Sequence, residues 1–174
     1  ISDALANFLS LKAEGNPLFV EQLTLDLRER ALVRRANHAW DIVSQDVEAV
    51  PATINAVLIA RLDRLAAQVK AVVQTAAVLG REFEILILSR MLRDDANLTR
   101  KVQRAEGEMI WSALNQMHYI FRHTMMRDAA YDMQLQARLQ SLHALAAEVM
   151  EQIYAGELAS HYADLAYHYG KADK

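Results

Sequence analysis

Phe19, Leu23, Leu27 and Ala31 follow one another at intervals of four, which puts them on one side of a helix predicted over 17–31. Ahead of it, Asp3 is placed to cap a helix running through Lys12, and Gly15 to end that helix in a left-handed conformation. Pro17 then opens the next helix at its first turn, where a missing N–H is harmless. Over 32–43 the helical period gives way to two short strand-like runs around a turn that contains Asn37, the pattern of a β-hairpin. The polar stretch 44–49 reads as a loop, and Pro51 closes it by forcing Val50 out of the helical region.

A helical rhythm then resumes. Ile54, Val57, Leu58, Leu62 and Leu65 share one side, with Arg61, Asp63 and Arg64 largely off it. Val69, Val72, Val73, Ala76, Ala77 and Leu79 mark a second helix that Gly80 ends. A third is predicted over 83–92, a fourth from an Asn97 cap to about Gly107, and the runs 109–112 and 118–122 pair as a ribbon. Short helices closed by a two-stranded ribbon give the outline of a winged helix.

Residues 124–131 read as a helix, and a longer one follows with Leu135, Leu139, Leu142, Leu145, Val149 and Ile153 on its buried side. Gly156 breaks it, and Leu158, His161, Tyr162, Leu165 and Tyr169 form the packed face of the last helix. Helix pairs in this order suggest the start of a helical-repeat array. The expected fold class is therefore mainly α: a helical lid, a winged-helix module with a small β-hairpin wing, then antiparallel TPR-like pairs. The expected segments are 1–31, 32–50, 51–123 and 124–174.

Composition narrows the function classes. In 174 residues there are two prolines and five glycines, so helix breakers are sparse. A formal charge of −3 gives no positive footprint for phosphate, and nucleic-acid binding is disfavoured. The absence of cysteine excludes disulfides, thiolate catalysis and cysteine-based zinc sites. No run reaches the roughly 18 apolar residues of a membrane span, so no membrane partner is expected and the expected address is cytoplasmic. The first residue is Ile1 and the last, Lys174, falls in a helix-rich region, so both ends are expected to be cuts in a longer polypeptide.

Candidate chemistry is sparse. A Gly-rich loop ending in Lys-Ser/Thr is absent, so nothing here cradles a triphosphate, and no catalytic residue is assigned. The pairs Glu82 with Glu84 and Asp94 with Asp95 would need an enclosed pocket to separate their pKa values before they could act as acid and base. His161, Asp164 and His168 stand three and four apart on one helical face. Their two histidines are seven apart, which favours a solvated face beside the tyrosines over a metal site. Arg100, Lys101 and Arg104 form a local basic cluster, but Asp94, Asp95, Glu106 and Glu108 surround it and repel phosphate.

Two segments carry a resemblance. Gly15-Asn16-Pro17, leading into Leu18-Phe19-Val20-Glu21-Gln22-Leu23, and Phe121-Arg122-His123, leading from an apolar strand into a helix, together resemble the back half of STAND-class signalling ATPases. That class includes the ATPase regions beside bacterial adenylate/guanylate cyclases and the MalT-like regulators. The order of Val50-Pro51-Ala52-Thr53-Ile54 and Ala76-Ala77-Val78-Leu79-Gly80-Arg81-Glu82-Phe83 between them is similar as well.

The resemblance implies that 1–31 ends an ATPase core and its lid, that 51–123 is a winged-helix arm and that 124–174 begins a helical-repeat region. It implies Pro17 as an adenine contact, with Gly15 letting the chain turn against the base. His123 stands where that class has the histidine of a Met-His-Asp segment, a latch on the β-phosphate of ADP, and Arg122 would be phosphate-proximal. Here Arg122 and Thr124 replace the methionine and aspartate. ATP or ADP with Mg would be held by an upstream core, with no cofactor bound by this segment alone. The implied partners are that core, and other proteins through the terminal helices. A helical interaction scaffold without nucleotide and a winged-helix DNA-binding regulator are the alternatives.

Overall fold

Ser2, not Asp3, caps the first helix of the computed structural model, which describes residues 1–36, 39–93 and 95–172. The Ser2 hydroxyl accepts the Leu5 N–H at 3.2 Å and donates to Asp41 at 2.5 Å, so one side chain both starts the helix and ties it to a strand. Asp3 lies in the first turn of α1 (Asp3–Ala13), where its charge complements the helix dipole.

Glu14 and Gly15 then turn the chain through left-handed backbone, with φ of 50° and 80°. Asn16 caps α2 (Pro17–Glu29) by accepting the Phe19 N–H at 3.2 Å, and Pro17 opens that helix as its sequence predicts. α2 stops two residues earlier than expected, and Ala31 is exposed at φ 55° instead of lying on the packed face. Leu23 and Leu27 are fully buried.

The hairpin forms from β1 (Val33–Ala36) and β2 (Ala39–Ile42), paired antiparallel from Val33 opposite Ile42 to Ala36 opposite Ala39. Its expected turn, at Asn37, lies outside the described residues. The predicted loop over 44–49 contains a short 3-10 helix, Gln45–Ala49, which Ser44 caps by accepting the Asp46 N–H.

In α3 (Ile54–Arg64), Arg61 is 4% exposed and belongs to the interior, against the expectation that it lies off the packed face. α2 makes this possible by presenting Gln22, Asp26 and Glu29 at helical spacing towards α3. Arg61 donates to the Gln22 side-chain oxygen and, through Nε, to Glu29 at 3.2 Å. Arg64 reaches the fully buried Asp26 at 2.6 Å and Glu29 at 2.8 Å. A buried guanidinium is tolerated because its donors find acceptors.

Residue contacts divide the chain into two units, Ile1–Arg64 and Leu65–Lys174, a boundary that falls within the 51–123 segment and groups α3 with α1 and α2. In the second unit α4 (Ala67–Leu79) ends at Gly80, whose φ of 126° is one that L side chains rarely adopt.

The expected helix over 83–92 is shorter, because its first residues form a strand. β3 (Glu82–Glu84) precedes α5 (Ile85–Met91), and α6 (Leu98–Gly107) leads into β4 (Trp111–Ala113) and β5 (His118–Phe121). The ribbon is thus one edge of a three-stranded antiparallel sheet ordered β3-β5-β4. Phe83, between two glutamates, is 3% exposed and packs edge-on against Trp111 with centroids 5.1 Å apart.

α7 (Thr124–Asp132), α8 (Gln136–Ile153) and α9 (Tyr162–Lys171) complete the unit, with a 3-10 turn, Leu158–His161, before the last. Leu135 is 79% exposed, because α8 begins after it and its backbone is extended. Tyr162, expected on the packed face, is also exposed, and Leu165 and His168 are the buried residues of α9. Across the described residues the chain is mainly helical with two small antiparallel sheets.

Candidate functional site

The corner between α1 and α2 exposes Gly15, Asn16 and Pro17, while Phe19, 7% exposed, anchors it in the core of the first unit. A Cβ added at Gly15 would meet no heavy atom within 4 Å, so the left-handed backbone and not crowding is what selects glycine there. The Asn16 side chain is used as the cap, and Pro17 has an open face.

In the second unit, β5 runs from the sheet centre to Phe121, which is fully buried, and the chain passes through Arg122 and His123 into α7. Arg122 is exposed; its backbone N–H bonds to the Ile110 carbonyl at 3.1 Å, which fixes the strand end. His123 is half-buried in extended backbone, and its carbonyl accepts the Met126 N–H at 3.1 Å. Its ring does not serve as the helix cap.

Arg127, one turn on, is committed to the fold: Nε donates to the Ala77 carbonyl at 2.7 Å, Nη1 to Asp128 at 3.0 Å, and the guanidinium lies 4.7 Å from the Tyr131 ring centre. Gly15 and Pro17 thus belong to one unit, and Arg122 and His123 to the other.

A cleft of about 570 Å³ opens in the second unit, with Thr124 and Arg127 of α7 along one wall and Arg81, Glu84, Tyr154 and His161 among its other sides. Its polar groups are partly spoken for. Tyr154 donates to Glu84 at 2.5 Å, stacks on His161 at 3.7 Å, and has its phenol pushed up by burial and by the Glu84 bond. His118 sits 3.6 Å from the same carboxylate. Glu82 and Glu84 therefore do not form an isolated acid–base pair, since Glu84 is already engaged by two neighbours.

The expected solvated face at His161, Asp164 and His168 divides in two. His161 and Asp164 stay near the surface, but His168 is 2% exposed and hydrogen-bonds through Nδ1 to Nδ1 of His143 at 2.8 Å. Sequence reasoning missed His143; its intervals of four to Leu139 and Ala147 were the available signal. Among the described residues, no group of three or more His, Asp or Glu is placed to hold a metal ion.

A second groove, between the start of α4 and α6, carries Arg100, Lys101 and Arg104. Two of the three are neutralised, Lys101 by Asp95 and Arg104 by Glu108 at 2.5 Å. No helix among the described residues is long and apolar enough to cross a membrane.

No protein-family model, no curated protein and no solved structure matches the chain.

Proposed function

We propose that this chain is the regulatory arm of a STAND-class nucleotide-dependent signalling ATPase, coupling the ADP or ATP state of an upstream core to a C-terminal sensor or effector. The observation that carries the reading is the position of the Phe-Arg-His segment, where the central strand of a three-stranded sheet ends and α7 begins, with Arg122 exposed and His123 half-buried. The element order α4, β3, α5, α6, β4, β5 and the sheet order β3-β5-β4 support a winged-helix arm. α8 and α9, adjacent and packed through Leu165 against Ala146, Ala147 and Met150, support a TPR-like continuation.

In this reading ATP or ADP with Mg is held by the upstream core, and no cofactor is bound by this segment alone. His123 donates a hydrogen bond to the β-phosphate of ADP, Arg122 adds positive charge nearby, and Pro17 offers its exposed ring face to the adenine, with Gly15 giving the turn. ADP stabilises the closed arm because it gains these contacts only there, and ATP frees the arm by losing part of that preference.

Nucleotide binding to the polypeptide that contains this segment and its upstream residues tests the assignment. His123→Ala is expected to weaken ADP about 10- to 100-fold, the worth of one hydrogen bond involving a charged group, while ATP affinity changes less. Equal ADP affinity in the variant and the parent contradicts the latch.

The scaffold alternative draws on Tyr162 and Tyr167, both exposed on α9 and available to a partner protein. The DNA-binding alternative is weakened by the paired cations of α6.

A further inference from the structure

His143 and His168 are both essentially removed from solvent, with exposures of 0% and 2%. They come from different helices and meet ring to ring, Nδ1 to Nδ1, at 2.8 Å. The other nitrogen of His143, Nε2, lies 2.9 Å from the Tyr131 hydroxyl, so a three-membered chain links α7, α8 and α9. We propose that this buried His143–His168 contact is an acid-sensitive latch that holds α9 against α7 and α8.

The geometry dictates the sign. A hydrogen bond between two Nδ1 atoms needs one of them to be without its proton. Once both rings are imidazolium, two N–H donors and two positive charges face each other on rings almost wholly removed from solvent. Burial opposes each proton, and the second is opposed by the first charge as well.

The surroundings give the added charge little help. From α9, Lys171 acts on His143 as a further positive charge and Tyr167 packs edge-on against it; from α7, Arg127 adds another positive charge. Asp164 is the carboxylate that acts on His168, and its side chain is 66% exposed. Asp132 and Tyr167 bear on Tyr131, and burial raises the Tyr131 hydroxyl, which keeps it a neutral partner. α4 and α5 contribute apolar groups to the cluster on α8, namely Leu79, Ile87 and Met91.

Burial, then the charge of His168, lowers His143 to about 4, and burial lowers His168 as well. Both folded values lie below the unfolded one near 6.5. The latch is therefore at full strength above pH 6.5, and it weakens as the pH falls from there towards 4. α9 is the element to go, because its buried side chains are Leu165 and His168, with Tyr169 partly buried against the same core.

The test uses the 174-residue chain. Amide exchange, corrected for the intrinsic pH dependence, is followed across α9 from pH 7.5 to pH 4.5, together with the imidazole resonances of His143 and His168. The expected result is loss of α9 protection by about 10-fold per pH unit for each proton taken up, beginning below pH 6.5, with the helices around α4 still protected. The double variant His143→Gln, His168→Gln should lose that pH dependence. Unchanged α9 protection down to pH 4.5 overturns the latch, and so does an identical acid response in the double variant. Should that variant fail to fold, the unaltered protein still decides: two histidines that titrate near 6.5 while α9 stays protected refute the proposal.

Discussion

Trp111→Ala is expected to destabilise the Leu65–Lys174 unit by about 3–5 kcal/mol, the range for deleting a large buried aromatic. Trp111 is fully buried and stands at the crossing of the sheet and α6. It packs edge-on against Phe83 and Phe121, with centroids at 5.1 and 5.5 Å, and donates its indole N–H to the Val102 carbonyl at 3.1 Å. Alanine removes the volume and the indole hydrogen bond together. Urea denaturation followed by far-UV circular dichroism checks this, since the loss of the indole compromises a fluorescence reading. A loss under about 1 kcal/mol would mean that the sheet does not rest on this residue.

Arg61→Ala is the second large effect, about 3 kcal/mol in the Ile1–Arg64 unit. Its side chain is 3% exposed, and removing it leaves the buried Gln22 and the carboxylate of Glu29 without their shared donor. Arg64→Ala supplies the contrast: its side chain is 35% exposed, and Arg30 stays 3.5 Å from the buried Asp26, so its loss should be smaller than that of Arg61. Comparing the two by the same denaturation experiment separates an interior guanidinium from a partly exposed one. Equal losses would contradict the distinction.

Much of the helical frame is legible because single residues punctuate it. Pro17 marks the start of α2 and Gly80 the end of α4, each through a backbone property that needs no knowledge of the fold. The hairpin over 33–42 is legible from its change of period alone. β3 is not: three residues hold barely one alternation, and Phe83 seen from the chain continues a helical run as readily as it starts a strand.

Buried polar residues are hidden for another reason. Whether Arg61 or His168 faces the interior depends on hydrogen-bond partners that lie 39 and 25 positions away, at Gln22 and His143. Hydrophobic patterning assigns such residues to the surface, since it cannot count hydrogen bonds across helices. Leu135 errs in the opposite direction: apolar and in phase with α8, it precedes the helix and so escapes its face.

The candidate nucleotide contacts were found as motifs, and the fold adds to them what a motif lacks. Gly15 gains a left-handed φ, Pro17 an exposed face, and His123 a place where a strand turns into a helix.

The most direct test of that account is amide exchange over 118–132 in the polypeptide that carries this segment behind its own upstream residues, measured with ADP and then with ATP. A coupling of the usual allosteric size slows exchange about 5-fold or more in the ADP state relative to ATP. Exchange that is the same with ADP, with ATP and with no nucleotide would contradict it.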